Sequence, residues 1–291
     1  MAGVTGNTGK VAAQTLLDAG QKVRVVVRDA AKGAPWAAKG AEVAVADLGD
    51  AAALTNALRG ATSAYLLLPP NATSGDFRAY QRRTGASLLA AVKESGLGQV
   101  VLLSSVGAQH AAGTGPIAGL HPVEQGLKAL GVGVTAVRAA YFMENFGGSL
   151  AMLPQGVLPS FTPTDFAFDM IATRDIGLVA AKALREGAKG FEVVELSAAR
   201  RYSPNDAAAA LTEITGKTVT AQQFPLDAMV PTLTGFGFPP DIAALYHEMT
   251  DGLIRGHVAF EGAPPGARRR HRPRDRAPRH HQALTTSRAF P

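Results

Sequence analysis

The amino-acid sequence predicts a doubly wound α/β fold, in which helices cover both faces of a parallel β-sheet. Two observations lead to this prediction: short apolar runs alternate with helical patterns through the first 140 residues, and a glycine-rich segment precedes the first helix. The runs are apolar at consecutive positions, so both faces of each strand are expected to be buried. A chain of 291 residues has room for such a domain and a smaller lobe.

The alternation of elements sets the limits of the first domain. It begins with a helix whose small and apolar side chains, from Val11 to Ala19, share one face, and Gly20 ends that helix. The strands predicted after it are Lys22–Val27, Ala41–Ala46, Thr62–Leu68, Gln99–Ser105 and Val132–Arg138, with helices at Ala51–Leu58, Asp76–Ser95 and Pro122–Leu130. We therefore assign residues 1–140 to the sheet domain.

The pattern changes after Tyr141, where three prolines interrupt the chain at positions 154, 159 and 163. A helix is predicted at Thr173–Arg185 and a strand at Phe191–Leu196. Ser203 followed by proline predicts the start of a further helix, which ends at Gly216. These mixed elements predict a smaller α+β lobe over residues 141–262, above the carboxyl edge of the sheet.

Charge is distributed unevenly along the chain. The formal net charge is +6, but the last segment holds eight arginines against one acidic residue. The rest of the chain carries 21 basic and 22 acidic side chains and is nearly neutral. We predict that residues 263–291 form a basic, disordered tail. Nucleic-acid binding would rest on this tail alone and is not favoured.

Composition also bears on location and on metal chemistry. The chain contains no cysteine, which excludes disulfides and cysteine-ligated metals and favours a reducing, cytoplasmic location. Its apolar runs are far shorter than the roughly 20 residues of a membrane-spanning helix, and its first residues do not resemble a signal peptide. Neither His121 nor His247 belongs to an HExxH pair, so no metal site is predicted.

The most informative motif is glycine-rich and leads directly into the first helix: Gly3-Val4-Thr5-Gly6-Asn7-Thr8-Gly9. In a dinucleotide-binding fold, glycines at this spacing allow a tight turn and let backbone N–H groups approach a diphosphate. An ordinary glycine-rich turn is the alternative, and the helix and strand series that follow favour binding. A phosphate loop of the NTPase type is not favoured, because Val4 and Val11 replace its glycine and its serine or threonine.

Residues that follow the predicted strands are candidates for the rest of a cofactor site. Arg28 stands where NAD sites carry an acidic residue for the ribose, which favours NADP, whose 2′-phosphate an arginine can pair with. Lys32 could assist, whereas Asp29 leaves NAD and a solvated surface arginine open as alternatives. Further candidates, for which core packing is the alternative, are Asp47, Leu48, Leu67, Leu68 and Pro69.

Longer motifs in a fixed order resemble the NmrA-like family of atypical short-chain dehydrogenases/reductases, close to its NADPH-dependent quinone reductases. They are GVTGNTGKV at the N-terminus, VVVRD at 25–29, ADLGD at 46–50, LLSSVG at 102–107, GVGVTAVRAAYFMENF at 131–146, TRDIGLVAAKAL at 173–184 and SPNDAAAALTEITGK at 203–217. The resemblance implies a Rossmann domain that binds NADP, and a small lobe that forms a cleft over the nicotinamide.

The chain departs from that family at both ends. Only Met1 and Ala2 precede Gly3, where the family has an apolar strand. The fold is therefore expected to lack its first strand, through a mis-assigned start codon or a truncated product. From about Pro264 an Arg/Pro/His run replaces the family's last packed segment. We favour a frameshift near residue 263, with a functional basic tail as the alternative.

The catalytic residues are less clearly indicated. The superfamily's usual acid is a tyrosine followed four residues later by lysine, and none of the five tyrosines is followed in that way. Ser104 and Ser105 end a predicted strand, and His121, with Glu124, lies near the family's variable acid/base position. Our catalytic candidates are Ser104, Ser105 and His121, with loop hydrogen bonding and helix capping as the alternatives.

A substrate wall is predicted from the resemblance alone. Tyr141, Phe142 and Asn145 resemble the family's residues at this place, where aromatic faces would stack on a planar quinone. Core packing is the alternative for these side chains.

Three functions are compatible with these observations. The first is an NADPH-dependent reductase of quinones or related conjugated carbonyls, which acts on a small-molecule substrate and for which a homodimer is the expected assembly. The second is a regulator that senses NADP without turnover. The third is salt-sensitive nucleic-acid association through the tail. Steady NADPH oxidation, binding without oxidation, and loss of nucleic-acid binding on tail removal distinguish them.

Overall fold

The structure, a computed structural model, describes residues 1–261, apart from the side chains of residues 149–152. The predicted basic tail, 263–291, lies outside the described residues. The predicted α/β fold is confirmed: strands and helices alternate, and every ladder between named strands is parallel.

The first 140 residues hold five strands and five helices. The strands are β1 (Arg24–Val27), β2 (Glu42–Val45), β3 (Ser63–Leu67), β4 (Gln99–Ser105) and β5 (Gly133–Ala139). The helices are α1 (Asn7–Asp18), α2 (Ala30–Ala37), α3 (Ala51–Leu58), α4 (Phe77–Ser95) and α5 (Leu120–Ala129), the last preceded by a 3-10 turn at Gly115–Gly119.

The second half of the chain adds shorter elements. Its strands are β6 (Tyr141–Phe142), β7 (Val157–Ser160), β8 (Met170–Ile171), β9 (Phe191–Leu196) and β10 (Thr220–Gln223). Its helices are α6 (Thr173–Glu186), α7 (Pro204–Thr215), α8 (Met229–Gly235) and α9 (Pro240–Ile254), with 3-10 segments at Met143–Gln155 and Leu226–Ala228.

The central sheet has two hydrogen-bonded parts. Four strands pair in the order β3-β4-β5-β9, while β1 pairs with β2. The backbone of Met1 and Ala2 lies between the two parts, because the Val26 N–H donates to the Met1 carbonyl (2.9 Å) and the Ala2 N–H donates to the Tyr65 carbonyl (3.0 Å). The parallel strands therefore end at one common edge, on which the site is built.

Helices cover both faces of this sheet. On one face α1 and α6 pack on alternate strand residues, including Val25, Tyr65 and Val101. On the other face α3, α4 and α5 pack on the intervening residues, including Val26 and Leu66. Burial of neighbouring residues on opposite faces explains why the strands read as continuous apolar runs.

Two features fix α6 and α7 in place, and the first of them is the helix start that the sequence predicts. Ser203 and Asp206 form a reciprocal capping box at the start of α7, with proline at its first position. Gly177 lets α6 approach α1, since a Cβ there would lie 2.7 Å from the Thr8 carbonyl oxygen and 2.6 Å from Val11. The close contact of α1 and α6 holds the glycine-rich loop against the second half of the chain.

The predicted division at residue 140 falls between β5 and β6. Beyond it, β9 and α6 return to the central sheet and its helical layer. The β7–β10 pair packs with α7 around Leu158, Leu211 and Val219 in a separate apolar cluster. The domain boundaries themselves stay a prediction.

Candidate functional site

The candidate site lies along the carboxyl edge of the sheet. Reading across the sheet, this edge presents the ends of β2 and β1, then the loop after Ala2, then the ends of β3, β4 and β5. The predicted cofactor, catalytic and substrate residues follow these ends in the same order. Ligands of open α/β sheets bind at this edge, where the strand order reverses.

The glycine-rich loop forms a tight turn in which each glycine has its own structural reason. Gly3 has φ +66°, a conformation that side chains disfavour, and its carbonyl accepts the Gly6 N–H at 2.9 Å. A Cβ on Gly9 would lie 2.4 Å from that carbonyl oxygen, so only glycine fits there. A Cβ on Gly6 would meet the Gly3 oxygen at 3.3 Å and is otherwise open.

The start of α1 is a suitable place for a diphosphate. Its N-cap residue, Gly6, supplies no capping side chain, so the N–H groups of the first turn have no side-chain acceptor at that position. The open side of Gly6 lets an anion approach those N–H groups, and the helix dipole favours its charge. These features fit the diphosphate of a dinucleotide.

The polar side chains of the loop have different surroundings. The Tyr65 hydroxyl donates to the buried Thr8 hydroxyl at 2.8 Å, which ties α1 to β3. Burial raises the pKa of the Tyr65 hydroxyl. Thr5 and Asn7 are exposed, and Asn7 accepts a hydrogen bond from Lys10 at 3.1 Å. The Thr8 hydroxyl is therefore buried and bonded to Tyr65, whereas the side chains of Thr5 and Asn7 are exposed.

The charged side chains that follow β1 differ in their contacts. Asp29 caps α2 by accepting the Ala31 N–H at 2.9 Å, so its carboxylate is engaged. Arg28 and Lys32 are both exposed beside it. Asp47 accepts the Gly49 N–H at 2.7 Å, and the Tyr80 hydroxyl of α4 lies within electrostatic range of both Asp47 and Arg28. The end of β1 therefore presents the side chains of Arg28 and Lys32 to an anionic ligand. The sequence did not indicate that Tyr80 lies beside them.

Apolar residues line the middle of the sheet's carboxyl edge, at the ends of β2 and β3. Leu67 packs beneath the glycine turn, where its Cδ2 lies 2.6 Å from a Cβ built on Gly3, and it contacts both apolar clusters. Leu48 and Leu68 pack against the α3–α4 face while staying partly exposed, as is Pro69. Packing and cofactor contact are thus compatible at these positions.

The end of β4 contains a buried ionic cluster that sequence reasoning missed. Ser104 is 2% exposed, and its hydroxyl donates to Glu124 of α5 at 2.5 Å. Arg138 of β5 contacts the same carboxylate through two nitrogens, at 3.1 and 2.6 Å, and also pairs with Glu261. The signal for the cluster was one charged residue, Arg138, within an apolar strand. Ser104 is held by this cluster.

The other two catalytic candidates are more accessible. Ser105 is partly buried, and its hydroxyl contacts the Val106 carbonyl at 3.1 Å. The His121 Nδ1 lies 3.2 Å from the Ala108 carbonyl, which can only accept, so Nδ1 carries the hydrogen and Nε2 is the remaining nitrogen. His110 lies nearby and stacks on His257, with ring centroids 4.1 Å apart. His121 therefore retains one nitrogen for proton exchange.

Aromatic side chains gather after β5. The Tyr141 ring meets Phe168 edge-on, with centroids 5.3 Å apart, and Phe146 at 5.9 Å. Burial raises the pKa of Tyr141 to about 12, and its hydrogen bond with Asn145 acts in the opposite direction. Phe142 is half-buried against the α1–α6 face, and Asn145 is exposed. The Tyr141 hydroxyl therefore stays protonated at neutral pH.

Glu144 anchors this aromatic segment to α6. Its carboxylate accepts the Thr173 N–H at 2.9 Å and the Thr173 hydroxyl at 2.6 Å. Thr173 opens α6, whose N-cap residue, Ala172, supplies no capping side chain. The segment that follows β5 thus caps α6, which packs on the central sheet, and this fixes one against the other.

Two features are absent from the described residues. Among residues 1–261 no group of three or more histidine, aspartate or glutamate side chains could hold a metal ion. Within the same residues, no helix is both long and apolar enough to cross a membrane.

Comparisons with known proteins agree with this architecture. Residues 1–252 match the NmrA-like family. Quinone oxidoreductase 2 of Escherichia coli is 29% identical over 260 residues, which are 87% of each chain. An NAD(P)H azoreductase of Xenophilus azovorans is 26% identical over 251 residues, 85% of this chain and 84% of that one.

Solved structures give the same result. The NADPH complex of the E. coli NADPH-dependent quinone oxidoreductase superposes with a TM-score of 0.76 at 26% identity, covering 88% of this chain and 89% of that one. Triphenylmethane reductase of Citrobacter shares the fold, with a TM-score of 0.75 at 20% identity over 90% of each chain.

Proposed function

The chain belongs to the NmrA-like family, and from that premise we propose that it is an NADPH-dependent oxidoreductase that passes a hydride to a quinone or related conjugated carbonyl compound. The observation that carries this proposal is the match to quinone oxidoreductase 2 over 87% of both chains. The similarity to a solved NADPH complex supports the choice of cofactor.

The glycine-rich loop and the strand ends would hold NADP(H). The first-turn N–H groups of α1 would bind the diphosphate, and Arg28 with Lys32 would pair with the 2′-phosphate. Asp47 and Leu48 would flank the adenine, while Leu67, Leu68 and Pro69 would line the middle of the cleft. When bound, the cofactor supplies the hydride. The protein orients the cofactor against the acceptor and excludes water from the space between them.

The aromatic side chains after β5 would form the acceptor side. The Tyr141 ring, held edge-on by Phe168, offers a flat apolar face near the end of β5, and Phe142 backs it. Asn145 and the protonated Tyr141 hydroxyl can donate hydrogen bonds to a carbonyl oxygen. Such a surface favours planar acceptors over flexible ones.

Quinones suit a site without the tyrosine–lysine pair, because they require less help from a general acid than a simple ketone does. The remaining proton would come from solvent or from the imidazolium form of His121, which would release the proton on Nε2 and keep the Nδ1 hydrogen bonded to Ala108. Replacement of His121 by glutamine distinguishes these sources. A loss of about 100-fold or more in turnover assigns the proton to His121, and an unchanged rate assigns it to solvent.

The testing experiment is a screen of NADPH oxidation over quinones, enals, ketones and azo dyes, combined with calorimetry of NADPH binding. We expect oxidation with quinones above all. Binding without oxidation by any acceptor would replace the reductase by a regulator that senses NADP. Absence of NADPH binding would overturn both.

Two further predictions concern the protein in the cell. We expect a cytoplasmic location, which cell fractionation tests. We also expect a homodimer, which sedimentation of the full chain tests.

A further inference from the structure

A groove of about 500 Å³ lies between three helices, α1, α2 and α6. A cavity of this size is large enough for a small organic ligand. None of the predicted cofactor, catalytic or substrate residues lines it, so its side chains are distinct from those of the candidate site. The chemistry of its lining indicates which ligand fits.

Contacts between the helices build this groove. Gly177 lets α6 approach α1 so closely that a Cβ there would lie 2.6 Å from Val11. Arg174 precedes Gly177 by three positions, about one helical turn, and so lies on the same side of α6. From the other wall Lys39, just after α2, donates to Gln14 of α1 at 2.7 Å. Both walls are thus tied to α1.

The groove presents three cationic side chains and no anionic one. Lys10 and Lys39 donate to side-chain amide oxygens, which are neutral, at 3.1 and 2.7 Å. Neither they nor Arg174 form an ion pair with any residue that the structure describes. Asp18 and Asp175, on the same helices, lie outside the lining. The uncompensated positive charge therefore favours an anionic ligand.

Apolar side chains line the groove beside these cations. They include Val11 of α1, Leu178 of α6 and Trp36 of α2, whose ring is 8% exposed. The Lys39 ammonium lies over the Trp36 ring, 5.0 Å from its centroid, and its bond to Gln14 holds it there. Because this cation is already ordered, a ligand loses less free energy on binding it. The lining therefore fits an apolar body with acidic groups at its edge.

We propose that this groove binds a small organic anion that carries two or three acidic groups around an apolar body about the size of one ring. Arg174 binds one acidic group through two N–H groups, Lys10 binds a second, and Lys39 binds a third beside Trp36. The three cations are exposed, so the affinity falls as ionic strength rises. Binding here needs neither cofactor nor turnover.

The test uses the fluorescence of Trp36, which reports on this groove directly because it is the only tryptophan of the chain. The probe is benzene-1,3,5-tricarboxylate, titrated into the purified full chain, and calorimetry measures the same binding independently. Citrate is the control for acidic groups without a ring, and benzamide is the control for a ring without charge. We expect saturable binding of the probe and at least fivefold weaker binding of both controls.

Matched variants assign the binding to the groove. Arg174→Gln should weaken it about fivefold, and the double change with Lys10→Gln should weaken it about tenfold or more. Arg185→Gln removes the same charge from the last turn of α6, outside the lining, and should leave binding unchanged. Circular dichroism checks that the variants keep the fold.

Saturating NADP⁺ should change the affinity for the probe by less than about twofold, because the groove contains no predicted cofactor residue. Competition between the two would overturn the proposal, since the groove would then be part of the cofactor site. The proposal also fails if citrate or benzamide binds as tightly as the probe, or if the double variant keeps full affinity. Absence of saturable binding by both fluorescence and calorimetry would overturn it as well.

Discussion

Arg138 donates two hydrogen bonds to the carboxylate of Glu124, from Nε to Oε1 at 3.1 Å and from Nη2 to Oε2 at 2.6 Å, and the two side chains are only 5% and 1% exposed. Arg138 lies on β5 and Glu124 on α5, and Ser104 of β4 donates to the same carboxylate. One buried carboxylate thus joins three elements beneath the candidate site.

We predict that Glu124→Gln destabilises the fold by about 3 kcal/mol, because the buried guanidinium of Arg138 then keeps only the exposed Glu261 as a charge partner. Urea unfolding measures the change. Glu186→Gln is a matched control, since Glu186 is exposed and pairs with Lys182 at 3.7 Å, and it should cost no more than about 0.5 kcal/mol. Equal costs for the two variants would contradict the prediction.

The glycine-rich loop allows a prediction that separates binding from folding. Gly6→Val should abolish NADPH binding but keep the fold, because its side chain enters open space on the anion's approach path. Gly9→Ala should destabilise the protein itself, because its Cβ meets the Gly3 backbone at 2.4 Å. Calorimetry and circular dichroism on both variants check this pair. Full NADPH affinity in Gly6→Val would mean that the loop is only a turn.

Arg28 is expected to set the choice of cofactor. Arg28→Asp should weaken NADPH binding about tenfold or more and improve NADH relative to it, because a charge-assisted hydrogen bond contributes about 1.5–3 kcal/mol. Adding Lys32→Ala should enlarge the effect. Arg185→Asp, the same charge change at the last turn of α6, is the control. An unchanged preference at moderate salt in both Arg28 variants would place recognition of the 2′-phosphate elsewhere.

His110 predicts a pH dependence of stability. Burial, followed by the charge of His257, lowers the pKa of His110; Arg138, His121 and Glu261 also face it. The unfolded chain therefore binds the proton more tightly, so stability is complete above about pH 6.5 and falls as pH drops below it. His110→Phe should flatten this decline by on the order of 0.5 kcal/mol, since the stack is partly exposed. Unfolding at several pH values from neutral down to 5 tests the slope.

Sequence patterns predicted those parts of the fold that depend on neighbours in the chain. β4 and β9 occur with the predicted bounds, because each is built around consecutive apolar residues, four in β4 and the pair Val193-Val194 in β9. The helix after Ser203 begins as predicted, because its cap is local. Elements that depend on partners elsewhere in the chain were not predicted. The helix α2 is an example, because it contains Gly33 and Pro35, which disfavour a helix, and it forms where Gly33 packs directly on Val43 of β2.

The candidate site divides in the same way. The glycine-rich loop could be recognised from spacing, since three glycines within seven residues build the turn by themselves. The Arg138–Glu124 pair could not, because it joins residues 14 positions apart on two different elements. Glu144, which caps α6 across 29 positions, was hidden for the same reason. Roles for the predicted cofactor, catalytic and substrate residues stay predictions.

The most direct test of the proposed reductase is the stoichiometry of NADPH oxidation against reduction of a simple benzoquinone by the purified full chain. We expect continuous turnover with one hydroquinone formed for each NADPH consumed, and no turnover in Gly6→Val. NADPH binding with no oxidation in the presence of any quinone would contradict it.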